Sequence, residues 1–175
     1  MITSPPYGDS RTTVAYGQFS RLSAQWLDLL PSDTLDIDKI LLGGKNSINI
    51  NDPILNESET LKNSIEHIVN KDLTRAKDVL SFYIDLNKSL KQAYKILKPQ
   101  KYFCLIVGNR TVKELILKTD MIICEFAEKM GFTSQGILYR TIPNKRMPLK
   151  NSPTNEAGKT GFTMQKESIV LLKKL

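Results

Sequence analysis

Four residues near the start of the chain, Ser4-Pro5-Pro6-Tyr7, set a hydroxyl and an aromatic ring on either side of two prolines. Each proline ring fixes φ and removes an N–H donor. The residue ahead of a proline is pushed to extended geometry. The tetrapeptide is therefore predicted to be a stiff, extended turn at the end of an element, presenting hydroxyl and ring in fixed relation. Met1-Ile2 ahead of it is too short to be a strand by itself, which points to further chain upstream. A second group of residues could contact phosphate. Between positions 140 and 166 lie Arg140, Lys145, Arg146, Lys150, Lys159 and Lys166, against Glu156 alone. Most of the chain's net charge of +7 thus sits in one short segment. Clustered cations of this kind suit a polyanion, although a solvated basic loop gives the same pattern.

The remaining chemistry-bearing residues are few. One histidine, His67, and two cysteines, Cys104 and Cys124, argue against a zinc site. Both cysteines lie among apolar neighbours and read as thiols of a reducing compartment, not a disulfide framework. Asp36 and Asp38 read as a solvated loop pair, and His67 as a surface residue. The 175 residues suffice for one domain with a real core. There is no apolar run long enough to span a bilayer and no signal-peptide pattern, so a cytoplasmic protein without membrane contact is expected.

The elements that must hold these residues can be read from periodicity. Phe19, Leu22, Trp26, Leu29 and Leu30 recur at helical spacing before Pro31. Residues 43–56 read as loop. A helix is predicted over about 57–70 and a longer one over about 73–97, its stripe running through Val79, Phe82, Tyr83, Leu86, Leu90, Ala93, Tyr94 and Leu97. Trp26, Phe82, Tyr83 and Tyr94 read as core. The apolar run 102–107, closed by Gly108-Asn109, predicts a buried, central, parallel strand. A helix over 119–130 ends at Gly131, and strands follow over 132–142 and 167–173. Joined without a helix, these last two strands should be antiparallel. The order predicts an α/β fold with helices on a largely parallel sheet. Asn109-Arg110, after the buried strand, stand where open α/β sheets bind ligands, or form a plain turn.

In this element order, Thr3-Ser4-Pro5-Pro6-Tyr7 resembles the catalytic motif of bacterial and archaeal DNA amino-methyltransferases, the site-specific enzymes that methylate exocyclic amines of cytosine or adenine. The serine version is the one associated with N4-cytosine. The resemblance covers essentially the whole chain, including the tail from Arg140. It implies the second, catalytic half of a Rossmann-like methyltransferase sheet, ending in an antiparallel strand pair. One domain over 1–175 is expected, with an insert loop at 32–58 and a basic, DNA-facing loop at 143–165.

The resemblance also implies roles. The amine of cytosine is a poor nucleophile because its lone pair is conjugated into the ring. The Ser4 hydroxyl and the Pro5 carbonyl would accept its N–H bonds and aim the lone pair at the methyl group of S-adenosylmethionine. Pro6 would keep the turn rigid. Tyr7 would stack on the base after it is flipped from the duplex. Arg11, Arg140, Lys145, Arg146 and Lys150 are the expected DNA contacts, Arg146 either to phosphate or to guanine.

One part of the family pattern is missing. The Gly-rich turn that binds S-adenosylmethionine has no counterpart, since Gly43-Gly44 follow Lys39-Ile40-Leu41-Leu42 in a loop-like stretch. The expectation is a chain that works with a cofactor-binding partner or pairs with itself, on double-stranded DNA. A non-catalytic DNA-binding remnant of a methylase, or an enzyme acting on RNA or protein amides, would share the same motif.

Overall fold

A computed structural model describes residues 1–10, 13, 16–28, 37–44, 48–142, 150–151, 161–162 and 164–175. The helices are α1 (Tyr16–Trp26), α2 (Ile37–Ile40), α3 (Glu59–Val69), α4 (Leu73–Ile96) and α5 (Thr119–Met130), with a 3-10 turn at Pro53–Glu57. The strands are β1 (Ile2–Thr3), β2 (Tyr102–Val107), β3 (Thr111–Val112), β4 (Leu115–Ile116), β5 (Phe132–Thr141), β6 (Lys150–Asn151), β7 (Gly161–Phe162) and β8 (Lys166–Lys174).

Local chemistry sets the helix limits. Ser58 caps α3 by accepting from the Leu61 amide, and Asp72 caps α4 by accepting from the Arg75 amide. Gly131 ends α5 at φ 100°, a left-handed conformation that a residue with a Cβ resists. Residues 43–56, read as loop, differ in one part: Pro53 opens the 3-10 turn, with Asp52 accepting from the Ile54 amide.

Four strands form the main sheet in the order β1-β2-β8-β5. β1 runs parallel to β2, while β8 is antiparallel to both β2 and β5. The sheet is therefore mixed, which corrects the expectation of a largely parallel one. The physical reason is connectivity. Helices separate β1 from β2, but β8 returns without one and wedges between β2 and β5. β2 is interior, as its apolar run indicated. Its outer neighbour β1 is made of the two residues that seemed too few for a strand; they are held by pairing, Ile2 with Cys104 and Thr3 with Leu105.

α3, α4 and α5 pack together over one sheet face. The core joins Leu61, Ile65 and Ile68 of α3, Val79, Phe82, Tyr83, Leu86 and Leu90 of α4, and Ile122, Ile123 and Phe126 of α5 to Phe103, Leu105, Val107, Val170 and Leu172 of the sheet. Tyr94 packs edge-on against Phe132, with ring centroids 4.9 Å apart. The opposite face is thinly covered. Cys104, Ile106, Ile169 and Leu171 are only half-buried, and Tyr102 and Leu138 are exposed.

The first helix differs from expectation in its surroundings. It ends at Trp26, four residues before Leu30, and Phe19, Leu22 and Trp26 all face solvent. Trp26 is 89% exposed and is not part of the core. Helical spacing marks an apolar face but does not say what covers it. His67 is exposed. Asp36 lies outside the described residues, as does the side chain of Asp38. Among the described residues, no helix is long and apolar enough to cross a membrane.

Candidate active site

The Ser4–Tyr7 turn leaves the sheet at the carboxyl end of β1, beside the carboxyl end of β2 and the start of β8. That edge is where open α/β sheets place ligands. The turn is fixed from several directions. The Ser4 hydroxyl donates to the Ile106 carbonyl at 3.0 Å. This uses its proton and leaves the oxygen able to accept, on an exposed residue. Pro5 and Pro6 are half-buried.

Tyr7 is half-buried, and its hydroxyl donates to Glu167 Oε1 at 2.7 Å. The other Glu167 oxygen accepts from Arg140 Nη2 at 2.5 Å. Burial, then the neighbouring Glu167, push the Tyr7 phenol above the ordinary tyrosine range, against smaller opposite pulls from Ser4 and Arg140. Arg140, then Tyr7, hold the Glu167 carboxyl below the ordinary carboxylate range. Both shifts keep a phenol donating to a carboxylate at neutral pH.

Gly108, just after β2, lets groups close in. A Cβ there would lie 2.8 Å from Met164 Cε and 3.3 Å from Tyr7 Cδ2. The ring of Tyr7 thus sits against a backbone stripped of side chain.

The residues after the turn are locked from below. Asp9 is 0% exposed, and its Oδ2 pairs with Arg110 at 3.1 Å and Arg75 at 3.4 Å. Arg110 also donates to the Thr13 hydroxyl, and its guanidinium lies 5.8 Å from the centroid of the Phe82 ring. A Cβ on Gly8 would meet Arg110 and would lie 2.5 Å from Thr13 Oγ1, so any larger residue would have to displace these side chains. Gly43, at φ 74°, lets the 41–44 segment reach the same loop. Its amide donates to Asp85, and Leu42 accepts from the Ser10 amide at 3.0 Å. Leu42 and Gly43 therefore brace residues 9–10, just past the Ser4–Tyr7 turn.

Asn109 is held separately. Its side chain and the Asp120 carboxylate and amide bond reciprocally, at 2.9 and 3.3 Å. Ser168 donates to the same Asp120 at 2.6 Å. Glu167 and Ser168, adjacent on β8, point to opposite sheet faces, and each steadies one side of the site.

Of the residues singled out in the sequence, Ser4, Pro5, Pro6, Tyr7 and Arg140 come together here. Asn109 and Arg110 join them, but as anchors of neighbouring residues. Arg11, Lys145 and Arg146 lie outside the described residues, and Lys150 is described only in its backbone, in the short β6. Sequence reasoning missed Glu167 and Asp9. Their signals, a carboxylate opening an apolar strand and one two residues past the Pro-Pro-Tyr turn, are weak without pairing information.

No family model matches the chain, and no solved structure matches it. Among curated proteins it is 52% identical, over 180 aligned residues, to the Type II methyltransferase M.MvaI of Kocuria varians. The match takes in 99% of this chain and 39% of that protein. The chain spans well under half the length of the relative it matches. In sequence, then, it is the counterpart of one part of a Type II methyltransferase.

Proposed function

We propose that the chain is the catalytic part of a DNA methyltransferase that transfers a methyl group from S-adenosylmethionine to the exocyclic amine of a flipped base. N4 of cytosine is the favoured target and N6 of adenine the alternative, in a restriction-modification setting. The observation that carries the reading is the fixed Ser4–Tyr7 turn at the carboxyl edge of the sheet, in a chain 52% identical to a Type II methyltransferase.

The residues suggest a division of labour. An amine entering beside Ser4 meets a hydroxyl oxygen whose proton is already spent on Ile106, so the oxygen serves as an acceptor. The Pro5 carbonyl offers a second acceptor. Two acceptors on the two N–H bonds hold the nitrogen and disfavour conjugation of its lone pair into the ring, which is positioning and polarisation in place of proton abstraction. Tyr7 offers a stacking surface for the base, worth about 1–3 kcal/mol per base. The methyl donor's chemistry comes from elsewhere. Among the described residues, Gly43 supports the 41–44 segment against Asp85 and residues 9–10, an arrangement that does not fit a Gly-rich cofactor turn, and the contribution proposed for these residues is to the amine and its base.

A cofactor-binding partner follows from the same reading. The relative extends far beyond the matched segment, β1 is an edge of the described sheet, and Ile2 on it is 76% exposed. Edges and apolar faces of this kind are covered in working proteins. The test is a chimera in which this chain replaces the matched segment of M.MvaI, with modified bases mapped on host DNA. Methylcytosine carrying the mark at N4 is the expected product. A folded chimera that marks no base would overturn the reading, and a mark on adenine would overturn the cytosine preference.

A further inference from the structure

Glu167 belongs to none of the motif positions, yet it is the residue on which Tyr7 rests. The geometry points to Glu167 as a positioning residue that fixes the plane of the Tyr7 ring against a flipped base, with Arg140 as its counter-charge rather than a free DNA-phosphate contact. The inference rests on the methyltransferase reading above.

Three observations carry it. First, the contact is at the far end of the tyrosine. The hydroxyl is held at 2.7 Å by Oε1, while at the near edge a Cβ on Gly108 would come within 3.3 Å of Cδ2. A tyrosine has two side-chain torsions, and a bond at the far end of its ring restricts both. Second, the holder stands on a rigid element. β8 is paired with β5 through Glu167 itself, beside Arg140, and with β2 as far as the adjacent Ser168, beside Val107. A support borne by a doubly paired strand is more exact than one borne by a loop. Third, Glu167 has little solvent to rely on. It is 9% exposed, and its two oxygens are divided between Tyr7 and Arg140. Without Arg140 the carboxylate would be a poorly compensated buried charge. The groups that face the phenol are Glu167, Ser4 and Arg140.

A stacking platform needs its plane fixed before the base arrives, because ordering it at that moment would weaken binding. Glu167 and Tyr7 should therefore act as one unit. The test uses the chimera with Tyr7→Phe, Glu167→Ala, Glu167→Gln and the double variant Tyr7→Phe/Glu167→Ala. Loss of either partner is expected to lower kcat/KM about tenfold, on a scale where 1.36 kcal/mol is a factor of ten. The double variant should be no worse than Tyr7→Phe, and Glu167→Gln, which keeps an acceptor oxygen, should recover most of the activity. Multiplying losses, or an unchanged rate in Glu167→Ala, would overturn the proposal.

A second readout needs no activity. In the isolated chain carrying 13C-labelled tyrosine, the Tyr7 phenol should titrate above the ordinary range and move back towards it in Glu167→Ala. An identical titration in both proteins would overturn the hold on Tyr7. A wild-type chimera that methylates nothing would instead count against the methyltransferase reading, and the titration would still decide whether Glu167 holds the ring.

Discussion

The Ser4–Tyr7 turn depends on two side-chain protons being where it needs them. Ser4 gives its proton to Ile106 and Tyr7 gives its proton to Glu167. The second bond sets a pH window. Glu167 is held below its ordinary value of 4.5 by Arg140 and Tyr7, so the stability it contributes is complete above that value and is lost as pH falls through the lower folded-state value. Tyr7 is raised above 10.0 by burial and by Glu167, so its share is complete below 10.0 and is lost as pH rises through the higher folded-state value. Denaturant unfolding of wild type and Glu167→Gln across pH should show a constant gap between these limits that closes towards strong acid. A gap that persists in strong acid would mean that the charge on Glu167 is not what holds the pair.

At the scale of elements, the site is a loop pinned to helices. Asp9, buried below the turn, joins the loop to α4 through Arg75 and to the end of β2 through Arg110. Removing one member of a buried ion pair leaves charge without compensation. Asp9→Ala is therefore expected to cost about 3 kcal/mol or more in chemical denaturation, with m unchanged. A cost below 1 kcal/mol would show that Arg75 and Arg110 are satisfied without it. The elements themselves were largely legible in the sequence. The run Tyr102–Val107 and the helix Thr119–Met130 have the predicted limits, because a continuous apolar strand and a glycine-capped amphipathic helix are strong local signals. The insertion of β8 between β2 and β5 was not legible, since strand order depends on pairing between distant segments. The Ser4–Tyr7 turn was readable because proline pairs constrain the backbone locally. Glu167 was not, because its meaning comes only from the residues that the fold brings to it.

At the scale of the whole molecule, one sheet face and one helix face lack cover among the described residues. Phe19, Leu22 and Trp26 form an exposed apolar stripe on α1, and the sheet face opposite α3–α5 is only half-buried. Surfaces of this kind fit a chain that matches 39% of a larger relative, and the occupant proposed for them is the complementary, cofactor-binding part. Trp26 is the only tryptophan and reports directly on this. Its emission should be that of a solvated indole in the isolated chain and should shift to the blue when the complementary part of M.MvaI is added. No shift in a complex that demonstrably forms would place the interface elsewhere.

Methyl transfer to a defined DNA by the chimera carrying Ser4→Ala tests whether the Ser4 hydroxyl holds the amine. Loss of a preorganised acceptor predicts a fall of about 100-fold or more in kcat, with cofactor affinity unchanged and stability lowered by no more than about 1 kcal/mol for the lost bond to Ile106. Turnover at the wild-type rate would show that the Ser4 hydroxyl takes no part in holding the amine.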